Sequence, residues 1–325
     1  MVEVSRLNNC NVLVTGAAGL LGSALVEALL QQTTCQVYAA CRNLTSAYQR
    51  FSHQANNPRL HFLEYDVSFP LTGNICYSYI VHAASPASPN SFSQQPVEVM
   101  MANILGTKHL LDYGRTHQLK RMLFISSGEV YGEGDSLPFK ETDSGYIDCN
   151  TPRACYPSSK RAAETLCAAY GAEYGVDVVI ARLCHTYGPG FTEKDNRVYA
   201  QFLRNVLQGE DIVLKSWGLQ MRSWIYVEDA VNAILHILLK GERGEAYNVA
   251  NPASCITIRQ LAELIAHQAG KKVRLDIPAE ANQGNTTPIT CATISIDKLK
   301  ALGWEPRYNM EDGLRKTLAT LTAAR

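Results

Sequence analysis

The chain lacks the sequence features that mark several large classes of protein. Its 30 basic and 30 acidic residues cancel, and no run of like charges is long enough to form a patch for nucleic acid or a membrane surface. No uninterrupted apolar stretch approaches the roughly 18 residues of a membrane span, and the segment 1–10 has no basic part followed by an apolar part. We therefore expect a cytoplasmic protein that binds neither nucleic acid nor membrane and that works on small molecules.

Signatures of metal binding are missing as well. The ten cysteines include no C-x-x-C pair and no Cys/His grouping with zinc spacing, so we expect most of them to be buried, reduced thiols. Apolar residues, by contrast, are plentiful. They make up 46% of the 325 residues, which is enough for a full core in one large domain or two moderate ones.

Short apolar runs alternate with helical patterns through the first half of the chain. The helical patterns lie at 20–29, at about 97–117 and at 157–174. The predicted strands are 11–15, 36–40, 60–65, 79–83, 122–126 and 177–182. This alternation predicts an α/β fold of the Rossmann type, with a doubly wound parallel sheet covered by helices on both faces.

The texture changes after residue 182. A loop opens at 187–190, and amphipathic stretches follow at 198–208, 229–240 and 258–269. We predict a nucleotide-binding Rossmann domain over 1–185 that also includes part of 222–250. The remainder, 186–325, is predicted to be a smaller, discontinuous α/β lobe that binds the substrate.

A glycine-rich turn follows the first predicted strand. Its pattern is G-x-x-G-x-x-G, built from Gly16, Gly19 and Gly22 with Leu20 and Leu21 between the last two. Such a turn lets the backbone approach a pyrophosphate and presents the N–H groups of a helix N-terminus to it. Glycines also serve purely structural turns, so the motif alone is weak evidence for a dinucleotide.

The ends of the second and third strands bear on the choice of cofactor. An NAD-binding fold places an acidic residue at the end of the second strand, where this chain has Cys41 and Arg42. An arginine there fits a 2′-phosphate, or it is simply a solvated loop residue. Asp66 and Val67 are candidates for adenine contact, although a loop aspartate also caps turns. We expect NAD, with NADP as the alternative.

Tyr156 and Lys160 form the main catalytic candidate. Residues at i and i+4 share a helix face, so the Lys160 ammonium can lie near the Tyr156 phenol. A neighbouring cation is expected to lower the tyrosine pKa from about 10 and make the phenol a general base. Ser127 and Glu129, at the end of the strand predicted at 122–126, aim a hydroxyl and a carboxylate at the same edge of the sheet.

Taken in order, these pieces resemble the extended short-chain dehydrogenases that modify nucleotide sugars, the NAD-dependent epimerase/dehydratase family. Several further pieces match the family, each weak alone. They are His82-Ala83-Ala84, Asn103-x-x-Gly106-Thr107, Arg182-x-x-x-x-Tyr187-Gly188-Pro189 and Arg222-x-x-x-Tyr226-Val227-x-Asp229. Within the family, the runs 82–89 and 196–198 look most like the UDP-glucuronate decarboxylase branch.

The resemblance implies roles for individual residues. Tyr156 takes the proton of the sugar C4 hydroxyl, Ser127 relays it, and Lys160 holds the phenolate and the nicotinamide ribose. Glu129 acts as a base or positions water near C5. Arg197 and Arg222 grip the diphosphate, or alternatively form surface ion pairs. Further expected contacts are cofactor contacts at Ala83, Ala84 and Asn103 and substrate contacts at Ser85, Pro86 and His185.

The resemblance also implies partners and leaves alternatives open. The expected substrate is a nucleotide sugar, UDP-linked in the decarboxylase branch, and relatives pair the helices at 97–117 and 157–174 into a homodimer. Gly128 stands where dehydratases have an aspartate, and His185 replaces the usual asparagine. The first choice is decarboxylation of a UDP-uronate, or epimerisation. The alternatives are an NADPH-dependent 4-keto-sugar reductase, a 4,6-dehydratase and a non-catalytic nucleotide sensor.

Overall fold

A computed structural model describes residues 3–193, 195–277 and 291–323. Its strands are β1 Asn11–Thr15, β2 Gln36–Cys41, β3 Leu60–Glu64, β4 Tyr79–His82, β5 Arg121–Ser127, β6 Val178–Leu183, β7 His185–Tyr187, β8 Ile212–Leu214, β9 Met221–Tyr226, β10 Ala246–Val249, β11 Asn251–Thr257, β12 Val273–Leu275 and β13 Cys291–Ala292. Its helices are α1 Leu20–Gln32, α2 Leu44–Arg50, α3 Pro89–Gln94, α4 Pro96–Thr116, α5 Cys155–Tyr174, α6 Val198–Leu207, α7 Val227–Lys240, α8 Ile258–Gln268, α9 Asp297–Ala301 and α10 Met310–Ala323.

The main sheet has seven parallel strands in the order β10-β6-β5-β4-β1-β2-β3. Both of its faces are covered, which is why its strands are apolar along their length rather than alternating. Helices α1 and α7 pack on one face around Leu25, Leu29 and Ile234. Helices α4 and α5 pack on the other around Leu110 and Cys167. The chain reverses its direction of travel across the sheet between β1 and β4, and ligands of such folds bind at the carboxyl ends of these strands.

The later part of the chain forms smaller sheets over the same edge. Strand β9 lies between β11 and β13 and also pairs with β7, while β8 pairs with β12. Helices α6, α8 and α10 cover these strands with a third apolar cluster that includes Tyr199, Trp224 and Leu261. Leu20, from the first turn of α1, belongs to this cluster. The side chain of Leu20 therefore ties the glycine turn to the later sheets.

The predicted fold class is confirmed, and the predicted elements occur within a few residues of their expected bounds. Strand β10 was not predicted as a separate element, and it forms the edge of the sheet beside β6. Among the described residues, no helix is both long enough and apolar enough to cross a membrane. The division into domains at about residue 185 stays a prediction.

Candidate active site

The glycine turn is built so that only glycine fits at two of its positions. Gly16 has a φ of +67°, and a Cβ there would lie 2.8 Å from the carbonyl oxygen of Ala83. A Cβ at Gly22 would overlap the Gly16 carbonyl oxygen. Helix α1 then begins after its N-cap residue, Gly19. The close backbone approach and the helix N-terminus together fit the pyrophosphate of a dinucleotide.

Hydrogen bonds between the ends of β1 and β4 support the glycine turn. The Thr15 hydroxyl lies 2.8 Å from Nδ1 of His82 and accepts a bond from the backbone N–H of Ala84 at 3.2 Å. Burial, together with the positive charge of Lys160, lowers the pKa of His82 to about 3. A neutral His82 thus fixes β1 to β4 and places the backbone of Ala83 and Ala84 against Gly16.

The other predicted cofactor contacts lie at the carboxyl ends of β2 and β3. Cys41 is buried, with its Sγ 3.6 Å from the carbonyl oxygen of Asn43, whereas Arg42 is exposed. The Asp66 carboxylate accepts the backbone N–H of Ser68 at 2.9 Å, so its local role is to close the turn after β3. The side chain of Val67 is buried.

Tyr156 and Lys160 both lie in the first part of α5, as predicted, and both are buried. The Lys160 Nζ donates to the carbonyl oxygen of Ile125 at 2.8 Å and lies 5.7 Å from the centroid of the Tyr156 ring. Burial lowers the pKa of Lys160 to about 7.

The predicted direction of the Tyr156 pKa is wrong. Burial and the charge of Glu129 raise that pKa above its ordinary value of 10.0. A hydrogen bond that the phenol oxygen accepts from Ser127, together with the positive charges of Arg197 and Arg153, lowers the pKa without reversing the net shift. The physical reason is that the Lys160 ammonium points to a backbone carbonyl, so desolvation of the phenol dominates. Burial therefore favours the protonated phenol in this arrangement.

Ser127 and Glu129 occupy the end of β5. Ser127 is the last residue of that strand, and its hydroxyl accepts the backbone N–H of Glu129 at 3.2 Å, which caps a short 3-10 turn. This cap turns the chain sharply and leaves Glu129 in the same cleft as Tyr156, close enough for its charge to act on the phenol. Nη2 of Arg153 donates to Oε2 of Glu129 at 2.8 Å.

A hydrogen-bonded chain ties the loop after β4 to α5. Ser85 donates to Oδ1 of Asn103 at 2.8 Å, and Nδ2 of Asn103 donates to the Ser159 hydroxyl at 2.9 Å. Ser159 in turn donates to the carbonyl oxygen of Tyr156 at 3.0 Å. Asn103 is fully buried, so its amide orders the cleft wall from within, while Pro86 in the same loop is half-buried.

Positive side chains form the opposite wall. His185 lies on β7, where its ring is 5.1 Å from that of Trp224. His185 is exposed, and desolvation by the protein around its ring, together with the charges of Arg222 and Arg197, lowers its pKa. Asp195 accepts two bonds from Nε of Arg197, at 2.9 and 3.2 Å. The buried Arg222 donates to the Met221 carbonyl oxygen at 2.8 Å, and burial lowers its pKa.

Sequence reasoning missed two residues of this cleft. The Phe92 ring stacks on the Tyr156 ring at 4.7 Å between centroids, and the Arg153 guanidinium lies 4.8 Å from the Phe92 centroid. Arg153 stands three positions before Tyr156, so a cation beside the reactive phenol was visible in the sequence. Phe92 lies far from Tyr156 along the chain, and no spacing rule reveals that contact.

A doubly wound parallel sheet, a glycine turn at its first helix and a Tyr/Lys pair in the same crevice define a nicotinamide-dependent enzyme. Residues 12–250 match the model of the NAD dependent epimerase/dehydratase family. The chain belongs to that family.

Similar proteins agree with this membership. UDP-glucuronic acid decarboxylase 6 of Arabidopsis thaliana is 32% identical over 308 residues, which is 94% of this chain and 87% of the relative. The UDP-glucose 4-epimerase of Thermotoga maritima, solved with UDP-glucose, is 25% identical with a TM-score of 0.83, covering 97% of this chain and 99% of that one. The UDP-glucose 4-epimerase of Thermus thermophilus, solved with NAD, is 26% identical with a TM-score of 0.81, covering 97% and 100%. The predicted family, enzyme class and cofactor NAD are confirmed.

Proposed function

We propose that this enzyme decarboxylates a UDP-linked hexuronate and returns its NAD to the oxidised form in each cycle. The observation that carries the proposal is the placement of Glu129 beside Tyr156, with positive side chains on the facing wall. The decarboxylase relative and the pattern of residues 82–89 support the same substrate class. A UDP-linked nucleotide sugar is also the substrate that we expect from the sequence.

The residues assigned to the cofactor would contact it in two ways, some through backbone N–H groups and others through their side chains. The glycine turn and the start of α1 would hold the pyrophosphate, and Lys160 would hold the nicotinamide ribose. NAD, when bound, would supply a hydride acceptor for C4 oxidation and a hydride donor for the return step. Within the chain itself, Arg197 and Arg153 act on Tyr156 toward a lower pKa.

Tyr156 and Ser127 handle the proton of the C4 hydroxyl. The phenolate form of Tyr156 accepts that proton through Ser127, and the phenol later returns it when the C4 ketone is reduced. Because burial raises the Tyr156 pKa, the phenol keeps the proton it has accepted while the chemistry at C5 takes place. That proton is then available to the C4 oxygen when the ketone is reduced.

Glu129 acts between the two redox steps. Once C4 is a ketone, the bond between C5 and the carboxyl carbon breaks, its electron pair moves toward the C4 oxygen, and carbon dioxide leaves. The resulting enolate takes a proton at C5, which restores the ketone. We assign Glu129 to orient the water that delivers this proton. The net products are carbon dioxide and a UDP-pentose.

The opposite wall suits a diphosphate. Arg197 and Arg222 bring two guanidinium groups to the cleft, and such groups recognise phosphate oxygens with paired hydrogen bonds. The side chain of His185, with its lowered pKa, stays neutral and donates or accepts one bond. We assign these three residues, with Ser85 and Pro86 from the loop after β4, to substrate binding.

Two features of the surface complete the proposal. Arg42 is exposed at the end of β2, which favours a 4-keto-sugar reductase using NADPH as the second candidate.

Helices α4 and α5 pack side by side and expose Val97 and Tyr174. We propose that this face forms a homodimer, and that the protein is cytoplasmic.

The test is a panel of nucleotide sugars incubated with the purified protein, with products separated by mass. UDP-glucuronate, UDP-glucose, dTDP-glucose and a 4-keto-6-deoxy nucleotide sugar are offered singly, with NAD and then with NADPH. The proposal expects a UDP-pentose from UDP-glucuronate with no net change in NAD. Conversion of only UDP-glucose, or stoichiometric loss of NADPH on a 4-keto nucleotide sugar, would overturn it.

A further inference from the structure

Arg153 contacts both acidic and aromatic parts of the cleft with one guanidinium group. It lies in the 3-10 turn Pro152–Ala154, immediately before α5. Its Nη2 donates to Oε2 of Glu129 at 2.8 Å, and its ζ carbon lies 4.8 Å from the Phe92 ring centroid. The Phe92 ring stacks on Tyr156 at an angle of 27°. One cation thus joins the carboxylate to the ring that backs the phenol.

The charges of Glu129 and Arg153 also affect the pKa of Tyr156. Glu129 faces Tyr156 from the end of β5 and raises its pKa, whereas Arg153 and Arg197 lower it from two other elements. Lys160, on the same helix as Tyr156, is turned to the Ile125 carbonyl oxygen. Arg153 therefore balances the charge of Glu129, which opposes ionisation of the phenol.

Stability does not explain the pair. The side chains of Arg153 and Glu129 are 35% and 26% exposed, and ion pairs this open contribute little to the stability of a fold. Cation–aromatic contact at an exposed site adds a similarly small amount. The more specific effect is geometric, because the planar guanidinium fixes the carboxylate and the ring at the same time.

We propose that Arg153 is a positioning residue that holds Glu129 and the Phe92–Tyr156 stack in one catalytic arrangement. For its kinetic consequence this inference rests on the proposed function, since Glu129 is placed in the step at C5. Arg153 itself needs no contact with the reacting atoms.

The kinetic test compares Arg153→Gln with Arg153→Lys, Phe92→Leu and the control Arg121→Gln. Arg121 forms a part-buried ion pair with Asp177 at the opposite end of β5, far from the cleft, with side chains 17% and 27% exposed. Its Nε and Nη2 both donate to Asp177, and its Nη1 donates to backbone carbonyl oxygens. Arg153→Gln should lower kcat about 10²-fold, because small displacements of catalytic groups cost rates of that order. Arg153→Lys should recover part of the loss, since the ammonium keeps the charge but not the planar face. Arg121→Gln should keep kcat within about twofold of the wild type.

Two further readouts separate positioning from general damage. With Glu129→Gln already present, Arg153→Gln should change kcat by less than about threefold, because residues that act as one unit are non-additive. The acid limb of the kcat profile should move to higher pH in Arg153→Gln, since one of the positive charges that lower the Tyr156 pKa is then lost while Glu129 still raises it. An equal loss in both backgrounds with an unmoved acid limb would overturn the proposal.

A spectroscopic arm works even if the protein converts no UDP-uronate. Protein made with 3-fluorotyrosine gives a fluorine resonance for Tyr156, identified by its disappearance in Tyr156→Phe. Arg153→Gln and Phe92→Leu should shift that resonance, and Arg121→Gln should leave it in place. An inactive wild type with a shifted resonance would defeat the proposed function alone. An active wild type whose resonance and kcat are untouched by Arg153→Gln would defeat this inference alone.

Discussion

Two glutamate–arginine pairs stand near the carboxyl end of β5, and they are built differently. Glu164 accepts bonds from Nε and Nη2 of Arg182 and a bond from the Ser126 hydroxyl. Its pair is 12% and 14% exposed. Glu129 and Arg153 share one bond and remain open to the cleft.

The difference lies in how fully the charges are satisfied. Arg182 also donates to the Tyr131 hydroxyl and the Glu141 carbonyl oxygen, so its fork has partners on both sides. Tyr131 extends the network to Asn248 on β10, which joins β5, β6 and the sheet edge. A saturated pair of this kind is scaffold, whereas a half-satisfied pair keeps lone pairs and charge for a ligand.

The largest expected effect comes from breaking the saturated pair. Arg182→Met leaves the Glu164 carboxylate buried with the Ser126 hydroxyl as its remaining partner, and breaking a buried pair typically costs about 3–5 kcal/mol in the free energy of unfolding. Urea unfolding followed by circular dichroism measures it. Arg259→Met, which breaks an exposed pair with Glu263, is the control and should stay within about 0.5 kcal/mol. Equal losses in both variants would erase the distinction between the pairs.

Removing the charge of Glu129, which pairs with Arg153, should lower turnover rather than the free energy of unfolding. Glu129→Gln is expected to lower turnover about 10²-fold, in the range for a misplaced or missing acid–base group, while the free energy of unfolding changes by less than about 1 kcal/mol. Steady-state kinetics and urea unfolding of the same preparations give both numbers. Unchanged turnover with lowered stability would make Glu129 a scaffold residue like Glu164.

Two glycines of the cleft, Gly16 and Gly128, differ in how much room they leave for a side chain. Gly16→Ala should weaken NAD binding and stability by a few kcal/mol, because its positive φ and the nearby Ala83 carbonyl oxygen exclude a methyl group. Gly128→Ala is the matched control, since the nearest atom to its Cβ would be 3.7 Å away. NAD titration and thermal unfolding follow both variants. Wild-type NAD affinity in Gly16→Ala would remove the turn from the cofactor site.

Lys160 should give the free energy of unfolding a pH dependence. Its folded pKa, about 7, lies below the ordinary 10.5, so the unfolded chain holds more protons between those values and stability rises with pH there. Burial causes the shift, while Glu164 and Cys167 act against it. Relative to Lys160→Met, the wild type should gain at most about 1.4 kcal/mol per pH unit between pH 7 and 10. A difference between the two proteins that is flat over this window would contradict the buried, neutralised lysine.

The sequence predicts the features of this molecule that are determined by residues close together along the chain. It does not predict those that depend on contacts between distant segments. The strands, the glycine turn and the Tyr156–Lys160 spacing follow from local periodicity, and the structure has them where local rules put them. The stack of Phe92 on Tyr156 and the bond from Arg153 to Glu129 depend on how separate elements pack, so no local pattern contains them. The direction of the Tyr156 pKa failed for the same reason: spacing predicted a nearby cation, but burial and the orientation of Lys160 decide the balance.

The central claim is that this cleft removes the carboxyl group of a UDP-uronate while its NAD is regenerated. The most direct measurement uses UDP-glucuronate labelled with carbon-13 at the carboxyl carbon and protein loaded with NAD, and follows labelled carbon dioxide together with absorbance of the reduced cofactor. The account predicts one labelled carbon dioxide for each UDP-pentose formed, with the cofactor oxidised at the end. Absence of labelled carbon dioxide from protein shown to hold NAD and the nucleotide sugar would contradict it.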